Sequence, residues 1–484
     1  MKVGSTLSED AYKFDGKLSL KQAIPLGLQH VMAMFVGNLT PLLIITGACG
    51  IGAGSEYATV QVALLQNAMI MAGIVPLVQM FSIGPVGGKV PIVMGTSSGF
   101  LGVLNNTVAA CGGGILAYGA IMGACIVGGI FESVLGAFLK PLRKFFPPIV
   151  TGSVVIAIGL SLLGVGINYF CGGSGKADYG SLPNLFLGFV VLVVIVLLKH
   201  FAPQKSILSS SAILFGILAG YVVAIIMTLT LPHTGIDADG VQYTYSWVVD
   251  FAQVKNAAWI AVPSFIGFGA LSDVKITFQA SAIIPIGIMF IVTAIETVGD
   301  ISACIEGGMN REATDSELSG GVICDGLGSA FAALFGVLPN TSFSQNVGLV
   351  SLTKVVNRFA ISMGAIFLIL CGFCPKIGAL MSIMPQSVLG GAAVMMFASI
   401  LISGIQLITK HPIGSREITI ISVAIGLGYG LGATTGATAH LPYYVQLIFG
   451  GSGIVPCSLA AIILNIVLPK ESKPVREMWE LEDK

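Results

Sequence analysis

Apolar runs of roughly 17–25 residues recur along the whole chain, and runs of that length match a bilayer crossed by a helix. The pattern predicts fourteen segments, near 20–46, 58–80, 84–106, 114–136, 148–167, 183–199, 206–231, 279–299, 318–336, 343–357, 359–375, 383–406, 416–433 and 451–468. Short alternating stretches, the mark of a membrane barrel, do not occur in it. The expected fold is therefore an all-α polytopic membrane protein. Two segments, 84–106 and 343–357, are poor continuous spans because Gly, Ser, Thr, Asn and Pro interrupt them. They predict short extended breaks in spans three and ten. Broken backbone at that depth survives only where it is buried in protein or lines a cavity.

The basic residues give this layout an orientation. With the N-terminus in the cytoplasm, the cytoplasmic side holds Lys2, Lys13, Lys17 and Lys21, then Lys89, then Lys140, Arg143 and Lys144, then Lys199 and Lys205. It also holds Arg311, Lys354 and Arg358, Lys410 and Arg416, and Lys470, Lys473, Arg476 and Lys484. Only Lys176, Lys255, Lys275 and Lys376 fall outside. Both termini are thus expected inside. The chain divides into a tail 1–19, a first seven-span repeat 20–231, an extracellular connection 232–278, a second seven-span repeat 279–468 and a tail 469–484. An odd number of spans per half forces the halves into opposite orientation, the arrangement of inverted-repeat transporters. A weak internal echo agrees: Val90-Pro-Ile-Val-Met-Gly-Thr-Ser-Ser-Gly-Phe100 and Leu338-Pro-Asn-Thr-Ser-Phe-Ser-Gln-Asn-Val-Gly348 occupy matching positions.

Composition narrows the class. Only 10% of the residues are charged and 55% are hydrophobic, where soluble domains are about 25% charged. The polar start Met1–Lys17 and the long first apolar run do not read as a cleavable signal peptide. A net charge of zero gives no reason to expect nucleic acid. The lone Cys371-Gly-Phe-Cys374 has no second pair and reads as small membrane-helix residues rather than a metal or redox site. There is no P-loop, and Gly426-Leu-Gly-Tyr-Gly-Leu-Gly432 lies within a span rather than after a soluble strand. Neither an enzyme, a cofactor nor a metal is expected.

The rare charges carry the candidate chemistry. Glu296 and Asp300, in Thr293-Ala-Ile-Glu-Thr-Val-Gly-Asp300, share a helix face directly after an apolar run. A carboxylate near the bilayer centre costs about 2.5–3.5 kcal/mol on insertion scales and reads as functional. The alternative is a helix ending at the cytoplasmic surface with solvated acids. Gln345 and Asn346 follow a Pro-interrupted stretch, where backbone N–H groups and a half-helix N-terminus suit a polar ligand. An amide offers one acceptor and two donors, which fits a planar ring with alternating C=O and N–H; the alternative is glue between helices. His30, in Gly27-Leu-Gln-His30, is either a proton-responsive partner or a neutral structural histidine. Asp325 either joins a coupling network or caps the ninth span.

These residues resemble the nucleobase–ascorbate transporter family. Gln345-Asn-Val-Gly-Leu-Val-Ser-Leu-Thr353-Lys fits its signature of Gln or Glu, Asn, any residue, Gly, four residues, then Thr and a basic or small residue. Gly27-Leu-Gln-His30, Glu296-Thr-Val-Gly-Asp300 and Asp325-Gly-Leu-Gly328 fit further family patterns in the same order. The resemblance implies a 7+7 inverted repeat split into core and gate domains, and a homodimer that moves like an elevator. It implies that Glu296 and Gln345 hold the base, helped by backbone around Ser344 and Ser97, with His30 supporting binding and coupling. Asp300 and Asp325 would be needed for transport, and Asn346 and Thr353 belong to the signature. Gln at its start resembles the purine branch, which handles xanthine and urate. Where relatives carry an aromatic residue in span three, this chain has Ser97-Ser98, which leaves Phe100, Phe343 or no ring at all to stack on the base.

The sequence therefore points to proton-coupled symport of xanthine or uric acid into the cell across the plasma or inner membrane. Uracil as substrate, sodium as coupling ion, and an anion exchanger or channel on a similar scaffold are the competing readings.

Overall fold

The computed structural model describes residues 8–139, 147–203, 207–237, 239–409, 412–434, 436–442, 445–446, 449 and 453–469. Every predicted segment contains helix. The first half runs α1 (Leu20–Ala48), α2 (Ala58–Phe81), strand β1 (Met94–Thr96), α3 (Leu101–Ala110), α4 (Gly114–Ala137), α5 (Pro148–Phe170), α6 (Leu182–Phe201) and α7 (Ala212–Thr230). A hairpin of β2 (Thr234–Ile236) and β3 (Gln242–Thr244) lies in the connection. The second half runs α8 (Ala280–Met309), α9 (Asp315–Leu334), β4 (Asn340–Ser342), α10 (Ser344–Thr353), α11 (Arg358–Gly372), α12 (Pro375–Ser382), α13 (Gln386–Ile408), α14 (Ser415–Ala433) and α15 (Ile454–Val467). Among the described residues, eight helices are long and apolar enough to cross a membrane alone. A ninth counts if α11 and α12, bent by 83° at Phe373-Cys374, form one span. Of the cytoplasmic cations expected from the sequence, Lys2, Lys140, Arg143, Lys144, Lys205, Lys410, Lys470, Lys473, Arg476 and Lys484 lie outside the described residues.

Packing separates the helices into two bundles. α1–α4 and α8–α12 pack among themselves, and α5–α7 pack with α13–α15. Each half therefore contributes the same order of elements to each bundle. The second bundle shows a broad apolar exterior: on α6, Leu182, Phe186, Phe189, Val193, Leu197 and Phe201 are all exposed, a stripe suited to lipid.

Three boundaries differ from the sequence reading. α8 continues past Asp300 to Met309, because its flank is covered by protein rather than lipid and can stay polar. Asp300 is thus inside a helix, not at its solvated end. α9 starts at Asp315 under a capping box of Thr314 and Glu317, with Arg311 bridging to Glu317 at 2.5 Å. Asp325 is therefore mid-helix and caps nothing. Residues 8–18 of the N-terminal tail are docked: the Asn357 side-chain amide donates to the carbonyls of Asp10, Lys13 and Gly16 at 3.0, 3.1 and 2.8 Å, and Arg358 pairs with Asp15 at 2.6 Å.

Candidate functional site

Two interrupted segments meet in the first bundle. β1 and β4 pair antiparallel, with Gly95 opposite Thr341. Beyond the ladder the pairing is reciprocal: Ser97 N–H donates to Pro339 O at 2.7 Å, and Phe343 N–H donates to Val93 O at 3.0 Å. The outward Thr96 N–H is taken by Asn38 Oδ1 of α1 at 2.8 Å, and Asn340 N–H by Ser329 Oγ of α9 at 2.9 Å. Backbone that could not face lipid is satisfied within protein. Gly95 is required at the crossing, since a Cβ there would stand 2.6 Å from Asn38 Oδ1 and 2.9 Å from the Phe343 ring. Each strand leads into a ten-residue helix, α3 or α10, and neither helix has a side-chain cap at its N-terminus. Two half-helix N-termini, with positive dipole ends and no side-chain cap, thus start from one buried ribbon.

α8 sets one acid against each break. Gly99, in the turn leading to α3, adjoins Glu296: a Cβ on Gly99 would be in ordinary contact, 3.7 Å from Glu296 Oε2 and 3.4 Å from Ser97 Oγ. That Oε2 is buried without a hydrogen-bond partner. One helical turn on, Asp300 faces the other break. Its Oδ2 accepts from Ser342 Oγ at 2.6 Å, and Ser344 Oγ reaches its two oxygens at 3.0 and 3.1 Å.

α10 turns one face to a cavity of about 420 Å³ between the bundles. Ser344, Gln345, Gly348, Leu349 and Thr353 line it from α10, Gln29 and Met32 from α1, and Met395, Ser399 and Ser403 from α13. Gln345, Gly348 and Leu349, spaced i, i+3, i+4, share this face, Thr353 reaches it from the last turn of α10, and Asn346 is taken up by His30 of α1. Thr353 Oγ1 donates to Leu349 O at 2.8 Å and accepts from Val355 N–H, closing the helix. A Cβ on Gly348 would meet no atom within 4 Å. Its glycine is not needed for packing, so Gly348→Ala should fold and gain up to about 1 kcal/mol of helix stability. The added methyl projects into the cavity, so uptake should fall several-fold while the melting temperature holds or rises; equal uptake would show that the cavity is not on the path. A second cavity of about 720 Å³, lined by Asn105, Asn168, Tyr169 and Gln386, lies at the opposite ends of α1 and α13.

His30 and Asn346 join α1 to α10. Asn346 Nδ2 lies 3.0 Å from both His30 O and His30 Nδ1. A carbonyl only accepts, so the amide NH₂ faces it and also donates to Nδ1, which puts the ring proton of neutral His30 on Nε2. Asp325 Oδ2 accepts from Thr297 Oγ1 at 2.5 Å, and its Oδ1 has no partner.

The structure thus brings Glu296 to Ser97 and Gly99, Asp300 to Ser342 and Ser344, and Gln345 to the cavity. Glu296 is not among the residues lining that cavity. Ser98 is half-buried, and its carbonyl accepts the first turn's hydrogen bond from Leu101. Of the two aromatic candidates, Phe100 is fully buried edge-on against Phe290, with ring centroids 4.8 Å apart, and has no free face. Phe343 packs beside Gly37 and Gly95, nearer the ribbon. One acid escaped the sequence reading: Glu132 of α4 is fully buried and accepts from Thr293 Oγ1 of α8 at 3.3 Å. The signal was present, since Glu132 is the only charge in the run 114–136.

Unpaired polar atoms concentrate here. Thr96 Oγ1, Thr341 Oγ1, both amide atoms of Asn340, Asn346 Oδ1, and one oxygen each of Glu296 and Asp325 are buried without partners. Buried polar groups are nearly always satisfied, so so many open positions around one ribbon mark a place built for exchangeable partners. Among the described residues, no group of three or more His, Cys, Asp or Glu is arranged to hold a metal.

Comparison with known proteins adds identity to geometry. The model of the Permease family Xan_ur_permease matches residues 21–436. A Clostridium perfringens protein is 38% identical over 472 residues, 98% of this chain and 96% of its own length. The uric acid permease PucK of Bacillus subtilis is 34% identical over 445 residues, covering 92% and 95%. A xanthine permease of the same organism is 34% identical over 455 residues, covering 93% and 95%. Among solved structures, the transmembrane domain of the cyanobacterial bicarbonate transporter BicA matches 93% of this chain and 99% of its own with a TM-score of 0.52, at 16% identity, a likeness of fold.

Proposed function

The chain belongs to the Permease family Xan_ur_permease, and from that membership we propose that it carries a purine nucleobase, xanthine or uric acid, into the cell together with a proton. It is a multi-pass protein of the cell membrane, and its family and relatives are permeases rather than enzymes. One observation carries the substrate reading: α8 places Glu296 and Asp300 at the two uncapped half-helix starts, and the second start opens through Ser344 and Gln345 into a cavity between the bundles. In this reading Glu296 accepts hydrogen bonds from ring N–H groups, and the Gln345 amide reads the opposite polar edge. Backbone at Ser97 and Ser344 completes the frame, and His30, Asp300, Asp325, Asn346 and Thr353 serve coupling and transport. Phe343 is the better placed ring for stacking, because Phe100 is spent on Phe290.

The repeated element order and the antiparallel β1–β4 pair support a 7+7 inverted repeat, with the halves 20–231 and 279–468 joined by 232–278. The first bundle is then the core and the second the gate of an elevator-like homodimer. Cavities at opposite ends of α1 and α13 support alternating access. Lys199 and Thr353 line the smaller one, and the charge bias supports a cytoplasmic position for it, with both termini inside. Exchange of small inorganic anions fits less well, since the carboxyl groups of Glu296 and Asp300 stand at the two helix starts in place of a basic residue. One proton driven by 100 mV, about 2.3 kcal/mol, concentrates substrate roughly fiftyfold.

The test is uptake of radiolabelled xanthine and urate by cells expressing the protein, with and without a protonophore, and with choline replacing sodium. Accumulation abolished by the protonophore and untouched by choline is expected. Dependence on sodium would replace the proton, and competition by uracil alone would replace the purine.

A further inference from the structure

Glu132 plays no part in the site so far described. It sits on α4, which packs against α8, α9 and α3. The α4 and α9 backbones touch beside it: a Cβ on Gly326 would meet the Ser133 amide nitrogen at 2.7 Å. Glu132 is therefore held on rigid elements. The titratable groups whose fields reach it are Asp325 of α9 and Glu296 of α8; Asp300 acts in turn on both of these. α3 contributes none. Among the described residues, no ion pair involves any of the four acids.

Counting donors decides its form. Thr293 Oγ1 has one proton, yet Glu132 Oε1, Met289 O and Phe290 O all stand 3.2–3.3 Å from it. Glu132 Oε2 has no partner. An ionised Glu132 would rely on a third share in one hydroxyl proton. A protonated Glu132 resolves the count: its O–H donates to Thr293 Oγ1, whose own proton goes to the backbone carbonyls. Asp300 is the contrast, since two serine hydroxyls are directed at it.

We propose that Glu132 is a proton-carrying acid of the transport cycle, separate from the substrate cavity, loaded in the state seen here and unloaded when α8 and its carboxylates change partners. This deepens the proton-coupled reading and rests on it. The proton stays a proton throughout: it leaves the carboxyl oxygen for Asp325 or water and returns on reset.

The test uses the full-length protein reconstituted in liposomes, as wild type, Glu132→Gln and Glu132→Asp, with radiolabelled xanthine and urate. A gradient of one pH unit gives about tenfold accumulation per coupled proton. Glu132→Gln should bind and exchange purine at close to the wild-type level yet lose that roughly tenfold gradient-driven accumulation. Glu132→Asp should keep it. The infrared difference between wild type and Glu132→Gln should contain a carboxylic-acid carbonyl band that is retained when purine is added, since a proton carried together with the substrate stays bound when the substrate binds; should Glu132→Gln not fold, the shift of that band in Glu132→Asp makes the same assignment. Wild type and Glu132→Gln accumulating alike, a missing band, or joint loss of binding, exchange and accumulation in both variants overturns the proposal and leaves a packing role. Wild type that ignores the pH gradient overturns the coupling reading and this proposal together.

Discussion

Glu296→Gln abolishes purine uptake while the protein still folds and reaches the membrane. The side chain keeps its length and its place against Gly99, where a Cβ would lie 3.7 Å from Oε2. No protein donor is lost at Oε2, because none is there. On the proposed reading, what is lost is the carboxylate that accepts from ligand N–H groups. A hydrogen bond to a charged group contributes about 1.5–3 kcal/mol, so two such bonds exchanged for an ill-matched amide should lower transport by at least about a hundredfold. An amide N–H pointed at a ring N–H adds a mismatch that an enlarged substrate concentration will not repair. Glu296→Asp, which keeps the charge but shortens the reach, should retain a fraction of the activity. The readout is radiolabelled uptake normalised to surface protein, with binding to the purified variant alongside. Wild-type uptake by Glu296→Gln would remove the acid from the site and, with it, the nucleobase reading of this geometry.

Much of the fold was legible because the bilayer imposes length: every predicted apolar run holds a helix, and Pro and Gly in spans three and ten marked the ribbon, although α12 fell between two predicted runs. The end of α8 was not. Hydropathy stops at Thr293, but the helix continues to Met309 with its polar flank on protein, and composition does not distinguish a protein-facing flank from a solvated one. The start of α9 was written in Thr314-Asp-Ser-Glu317, a capping signature that already excluded a cap role for Asp325. The orientation of Phe100 is not legible for a different reason. Sequence places it two residues after Ser98 but gives no rotation for α3, and only the approach of Phe290 shows which way the ring turns. Glu132 was passed over because its partner Thr293 is 161 residues away, so no local pattern surrounded it.

The second large effect falls on Asp300. Its carboxylate ties α8 to the last residue of β4 and the first of α10, through Ser342 Oγ at 2.6 Å and Ser344 Oγ at 3.0 Å. The next residue, Gln345, lines the cavity. Asp300 thus fixes where α10 begins, and with it the end that faces the cavity. Asp300→Asn replaces one acceptor oxygen by a donor, so one serine hydroxyl must turn round and give up a charge-assisted bond. A loss of about 1.5–3 kcal/mol in the positioning of α10 corresponds to roughly 10–150-fold in uptake. The double variant Ser342→Ala/Ser344→Ala removes the same ties from the other side and should reproduce most of that loss. Combining all three changes should add little, because they act on one shared contact. Purified Asp300→Asn should still bind xanthine or urate, more weakly, since Glu296 and Gln345 remain. A solvated acid at a helix end would tolerate the amide with unchanged uptake, and that result would detach Asp300 from the start of α10 and leave the serines paired with it by proximity alone.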